Sequence, residues 1–273
     1  MTSAMTTSSL TRIAPLLVAA LLTGCGAFEN DADPTKDWSA AKLHAEAKAE
    51  LQDGNYEKAS KLYESLESRY PYGAYSQQAQ LEQIYSYYKQ HETASAVSEA
   101  DRFIKAHPNH PSVDYAYYMK GLANFNDDLG IFGIYSSRDL AERDIKPTRE
   151  SFDAFKELVT SFPDSRYAED ATVRMTYLVN AMAQGDIATA RYYYRRQAYL
   201  AAANRAQEIL RSYPRSPAVE EALFIMYGSY NAMGLHHLRD DTLRVLQQDF
   251  PNSKYLNDKK DAVVDRPWWR VFW

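Results

Sequence analysis

Apolar residues recur along most of this chain at the three- and four-residue spacing of an amphipathic helix, as in Leu62 and Leu66 or in Phe152, Phe155, Leu158 and Val159. The pattern is punctuated by one dipeptide, an aromatic or His residue followed by proline: Tyr70-Pro71, His107-Pro108, Phe162-Pro163, Tyr213-Pro214 and Phe250-Pro251. Proline cannot continue a helical hydrogen-bond ladder, and the ring before it packs back on the helix it ends. Pro71 and Pro108 stand 37 residues apart, and so do Pro214 and Pro251. Gly54 and Gly234 each lie 17 residues before their proline, where a tight turn between antiparallel helices needs a permissive backbone. The same offset brings His91 into register. The spacing predicts five helix pairs, over 38–52 and 56–69, 74–90 and 93–106, 112–128 and 147–161, 165–183 and 186–212, and 216–233 and 235–249. Each pair buries only part of its apolar surface alone, so stacking completes the core.

Two units exceed the period. Pro108 and Pro163 are 55 residues apart because a segment from Leu129 to Lys146, with Gly130, Gly133, Ser136 and Ser137, interrupts the third pair as a surface loop. Pro163 and Pro214 are 51 apart, which the pattern explains by an early start of the second helix of unit four, through Ala188 to Arg196 and on to Ser212. Such a helix either projects toward a partner or is merely an elongated member of the stack.

The period and pattern resemble the tetratricopeptide repeat (TPR), a helix pair of about 34 residues with small and aromatic residues at fixed offsets. Ala47, Gly54, Ala59, Tyr63 and Pro71 fall in its frame in the first unit, Tyr117 and Gly121 in the third, and Tyr230, Gly234 and Pro251 in the fifth. The fold expected is an all-α TPR solenoid of five helix pairs.

The N-terminus follows another pattern. An apolar stretch from Ile13 to Leu22 follows Arg12 and runs into Leu22-Thr23-Gly24-Cys25, which ends on the only cysteine. The stretch suits the core of a signal peptide and is too short to span a bilayer as a helix. Small residues at 23 and 24 let a peptidase reach the backbone, so the arrangement reads as a bacterial lipobox with Cys25 as the lipidation site. The alternative is a buried free cysteine after an ordinary signal peptide. Gly26, rather than Asp, favours onward export to the outer membrane, with the body facing the periplasm. The chain then divides into a leader 1–24, a lipidated linker 25–37, units one to three over 38–163, units four and five over 164–251, and an aromatic tail 252–273.

Composition narrows the function. With 45% hydrophobic and 25% charged residues the body is that of a globular chain. The formal net charge of -5 becomes one unit more negative once Arg12 leaves with the leader, and the bases are scattered among acids, so nucleic acid is not an expected partner. Gly-rich phosphate loops, His-Glu-x-x-His, paired cysteines and Gly-x-Ser-x-Gly are absent from the sequence. His107 and His110 read as solvent-facing turn residues, and the adjacent His236 and His237 diverge by about 100° on a helix, so no metal site is expected. Glu169-Asp170 and Asp240-Asp241 read as solvated helix faces. No enzyme chemistry and no cofactor beyond the covalent lipid on Cys25 are expected.

Recognition remains. Grooves in such solenoids are lined by the first helix of each pair, which selects Tyr85, Tyr88 and Lys89 in unit two and Tyr115, Tyr118, Leu122 and Phe125 in unit three. An extended peptide with hydrophobic residues and a terminal carboxylate suits such a surface. The competing reading is that these rings only pack between repeats.

The strings Leu51-Gln52-Asp53-Gly54-Asn55-Tyr56, Arg69-Tyr70-Pro71-Tyr72-Gly73, Tyr75-Ser76-Gln77-Gln78, Asp101-Arg102-Phe103-Ile104, His110-Pro111, Asp114-Tyr115, Met119-Lys120-Gly121-Leu122 and Asn204-Arg205 resemble the BamD (ComL/YfiO) family. These are lipoproteins of the outer-membrane β-barrel assembly machinery. The resemblance runs in order from the lipobox to about residue 251. It implies a non-enzymatic scaffold that joins BamA through a POTRA domain, together with the other lipoproteins of the machinery. It also implies that the N-terminal repeats receive unfolded outer membrane proteins. Arg195, Arg196, Asn204 and Arg205 in the C-terminal half are the candidates for coupling to BamA, Arg205 alternatively being an internal packing residue. A different periplasmic TPR lipoprotein, organising envelope or peptidoglycan enzymes, would lack these strings. The tail Pro267-Trp268-Trp269-Arg270-Val271-Phe272-Trp273 departs from the family pattern and reads either as a cap on the last helix pair or as a membrane contact.

The lipobox generates the first prediction. Mass spectrometry of the N-terminal peptide should find a diacylglycerol-modified Cys25, and Cys25→Ala should yield unacylated protein; an unmodified wild-type peptide rejects the anchor.

Overall fold

The computed structural model describes residues 34–125 and 146–257. Cys25 and its lipobox, the predicted loop up to residue 145 and the aromatic tail from 258 lie outside them. Eleven helices follow among the described residues: α1 Ala40–Gln52, α2 Tyr56–Arg69, α3 Ala74–Lys89, α4 Thr93–Ala106, α5 Val113–Asn124, α6 Lys146–Ser161, α7 Ala168–Arg195, α8 Tyr199–Ser212, α9 Ala218–Ala232, α10 His236–Asp249 and the single turn α11 Lys254–Asn257. Each of the first nine packs on the next, and α1 with α3, α3 with α5, and α7 with α9 also pack together. The fold is an all-α solenoid of TPR type.

Chain chemistry repeats at both ends of each second helix. The residue before the proline closes the helix with its N–H on the carbonyl four back: Tyr70 on Leu66, His107 on Phe103, Phe162 on Leu158 and Tyr213 on Ile209 at 2.8 Å, and Phe250 on Leu246 at 3.0 Å. Within a pair, the first helix ends on a residue of positive φ: Gly54 (81°), His91 (60°), Gln197 (60°) and Gly234 (71°). The next N–H reaches back over the last turn, from Asn55 to Glu50 and from Ala198 to Tyr193, which uses carbonyls the helix end leaves free.

Gln197 corrects the reading of unit four. The long member is the first helix, α7, with 28 residues, whereas α8 has an ordinary 14. Gly185 and Asp186 lie inside α7 rather than at its end, because Ala-rich sequence on both sides continues the helix at the modest cost of one glycine. Arg195 is therefore the last residue of α7 and Arg196 its C-cap, and neither sits on the helix that carries Asn204 and Arg205.

Four apolar clusters run through the stack. Leu43, Ala47, Tyr63 and Leu66 join α1 and α2 to Ala79 of α3. Leu81, Ile84 and Phe103 then meet Ala116 and Met119 of α5. Phe155 and Leu158 pack on Ala168, Ala171 and Leu178. Ala183, Ile187, Ala190 and Tyr194 of α7 hold α8 and α9. Burying each such large side chain contributes about 1.5–3 kcal/mol. His107 and His110 are half-buried, with ring centroids 5.1 and 5.2 Å from Phe103, so they pack on that ring instead of facing solvent. The chain before α1 is also held: Arg69 donates to the Thr35 carbonyl and, at 2.9 Å, to its Oγ1, and the Tyr70 hydroxyl donates to the Trp38 carbonyl at 3.0 Å.

Helices α5 and α6 approach closely at Gly121, whose carbonyl accepts from Ser151 Oγ at 2.8 Å. A Cβ there would fall within 2.7 Å of three carbons of the fully buried Phe155 ring. Gly121→Ala should therefore destabilise the fold by about 1–3 kcal/mol, read as a lower urea midpoint with an unchanged slope.

Candidate functional site

The seven residues expected to line a substrate surface all stand on the first helices of units two and three. Tyr85, Tyr88 and Lys89 lie on α3, Tyr115, Tyr118 and Leu122 on α5, and Phe125 is the C-cap of α5. Lys89 is exposed and the others are half-buried. Two ring clusters result. In the first, Tyr85 meets Tyr56 edge-on at 6.3 Å and Tyr88 at 6.5 Å, with the Lys89 ammonium 5.7 Å over the Tyr56 ring.

The second cluster joins unit three to unit four. Tyr118 stacks on Tyr167 at 4.6 Å, and Tyr115 lies 5.8 Å from the same ring. Phe125 meets Tyr177 at 5.6 Å, with the Arg174 guanidinium 4.8 Å over its face. The Tyr118 hydroxyl donates to Asp170 Oδ2 at 2.8 Å, and Arg174 Nε donates to the same oxygen at 2.6 Å. Burial pushes the Asp170 carboxyl up, but those two bonds prevail and hold it below the usual aspartate range. Burial likewise pushes the Tyr115 phenol well up.

Tyr115, Tyr118, Leu122 and Phe125 thus pack between repeats; Tyr85 also meets Tyr56 of unit one, Tyr85 and Tyr88 pack on the apolar cluster shared with unit three, and Lys89 is the exposed member of the set. Repeat phase alone missed Tyr167, Arg174 and Arg166, the last exposed with its guanidinium 4.7 Å over Tyr167. The Arg166-Tyr167 pair directly before α7 was the available signal.

The C-terminal candidates surround a different feature. A shallow, open depression of about 560 Å³ is lined by Gln197, Ala198, Tyr199, Leu200, Ala201, Asn204 and Met233, where the α7–α8 turn meets the C-cap of α9. Leu200 is 63% exposed there. Arg195 and Arg196 are exposed and have no ion pair among the described residues; the Arg196 guanidinium lies 5.6 Å over the Tyr192 ring. Arg205 faces inward as well as outward, with Nη1 3.5 Å from Asp186 Oδ1 and the side chain 43% exposed. Among the described residues no three His, Cys, Asp or Glu side chains converge on a metal position. No described helix is long and apolar enough to cross a membrane.

The ring geometry makes a stability prediction. Tyr118→Ala or Phe125→Ala should each cost about 1–3 kcal/mol in urea unfolding, and Tyr88→Ala less than about 1 kcal/mol, because the first two lose ring contacts to Phe155, Tyr167 or Tyr177 across the stack, whereas the Tyr88 ring meets Tyr85 on its own helix. Equal losses in all three would contradict this division.

The family model for YfiO, described as an outer membrane lipoprotein, matches residues 36–246. The chain is 47% identical over 248 residues to the outer membrane protein assembly factor BamD of Neisseria meningitidis serogroup B, an alignment covering 91% of this chain and 92% of that protein. It is 38% identical to BamD of Vibrio cholerae, over 85% of this chain and 95% of the relative. With BamD of Haemophilus influenzae identity is 32%, over 93% and 94%. The names of these relatives denote assembly, a non-catalytic role. The match spans all five helix pairs, and the chain belongs to the YfiO family of outer membrane lipoproteins, whose similar members are BamD assembly factors.

Proposed function

We propose that this chain is a lipid-anchored, non-enzymatic scaffold of outer membrane protein assembly, carrying its periplasmic body on an acylated Cys25. The observation that carries this reading is the near full-length similarity to BamD assembly factors, 47% over 91% of the chain. In this reading the C-terminal units dock on a POTRA domain of BamA. The cations left exposed at the α7–α8 turn, Arg195 and Arg196, and the half-exposed Arg205 support it, as does the depression beside Asn204. Other lipoproteins of the machinery join the same assembly. Unfolded outer membrane proteins are received at the N-terminal units, where Tyr85, Tyr88 and Lys89 offer ring faces beside a cation without a carboxylate partner among the described residues.

The test is a pull-down from detergent-solubilised membranes with mass spectrometry, where BamA is the expected dominant partner and its absence rejects the reading. Arg205→Glu should reduce recovered BamA by at least about tenfold, since reversing a charge at a desolvated contact costs about 2–5 kcal/mol. Recovery equal to wild type would remove Arg205 from the interface.

A further inference from the structure

Arg205 is half-exposed but not loose. Its one ion pair among the described residues, to Asp186, is a single long contact of 3.5 Å between one nitrogen and one oxygen. A guanidinium has five N–H donors in a rigid fork, so this contact leaves an edge of the fork unused. Asp186 is the better held of the two. Its side chain is only 22% exposed, and it stands in the half of α7 that packs on α8 and α9. Groups from three places act on it: Arg205 of α8, Tyr213 at the C-cap of α8, and the Arg149 charge of α6, against one acid, Glu208 of α8. Burial pushes the Asp186 carboxyl up, and Arg205 and then Tyr213 oppose this.

We infer that Asp186 is the positioning residue for Arg205: it fixes the guanidinium against α7 so that the free edge of the fork is presented, beside Asn204 and the depression, to a carboxylate on the partner. The partner's acid then meets a side chain whose rotamers are already restricted, and binding loses less conformational entropy than with an unbraced arginine. The pair is kept on docking, Arg205 bridging two carboxylates, as Arg102 bridges Glu67 and Glu99 elsewhere in this chain. Asp186 itself touches no partner. This inference rests on the docking reading given above and adds to it the residue that makes Arg205 competent.

The experiment is a double-mutant cycle on the full-length lipoprotein in detergent, with the purified membrane-proximal POTRA domain of BamA as probe and calorimetric Kd and melting temperature as readouts. Asp186→Asn removes the charge at nearly constant shape and should weaken binding about tenfold with little change in melting temperature. In the Arg205→Ala background the same change should have no further effect, and Asp186→Glu should restore part of the affinity. If Arg205→Ala weakens binding while Asp186→Asn does not, or if the two effects add, the inference falls and the docking reading stands. An affinity loss that only follows a lower melting temperature makes Asp186 structural and also overturns it. If neither single variant changes Kd, the docking role of Arg205 falls together with its brace.

Discussion

The structure depends on a single backbone event repeated in four of the five units, a residue in the left-handed region 17 positions before the proline that ends the unit. Reversing the chain there, and satisfying the last carbonyls of the first helix in doing so, sets two helices antiparallel with their apolar stripes in contact. His91 and Gln197 adopt this conformation with a side chain attached, at φ of 60°, against a cost of about 1–2 kcal/mol for such residues. The helix pairing they permit outweighs it. Each turn therefore decides which residues count as core, and stacking follows from the surfaces that the pairs leave open.

Much of this was legible in the sequence because proline and glycine announce it. The five aromatic-proline dipeptides end five second helices, and Gly54 and Gly234 mark two of the turns. Unit four was misread because its turn carries Gln197, which has no compositional signature, while Gly185 inside α7 imitates a helix end. The offset of 17 from Pro214 falls on Gln197 and would have placed the turn without any glycine. The candidate sites were legible as residue types and as helix phase. What phase does not contain is the identity of the facing side chain. Tyr118 and Phe125 look like groove residues on α5 alone and become a joint only when Tyr167, Asp170 and Arg174 arrive from α7.

Cations make the same point. Arg102 binds Glu67 across to α2 and Glu99 within α4, and Arg174 holds Asp170, so both serve as fasteners. Lys89, Arg195 and Arg196 lie on rings or in solvent without a carboxylate partner among the described residues. In the Arg102 pairs one partner is well covered, Glu99 at 9% and Glu67 at 16% exposure, so each holds two helix positions in a fixed relation. The cations left over are those that an acidic partner meets at low desolvation cost.

The length of α7 has a consequence of its own. In its first half Ala168, Ala171 and Leu178 pack backward on the preceding unit; in its second half Ala183, Ile187, Ala190 and Tyr194 pack forward on α8 and α9. Two tasks that an ordinary first helix performs within 15 residues, the length of α9, are here placed one after the other on a rod about 42 Å long. Each residue of an α-helix turns its successor by about 100° and advances it about 1.5 Å. The stretch between Leu178 and Ala183 thus works as a torsion setting: one residue added or lost there would swing units four and five around the rod by roughly a quarter turn. Change by whole turns would only slide them along it. The admissible lengths of this helix are consequently quantised, and drift in the family at this point is expected in steps near multiples of a helical turn rather than residue by residue.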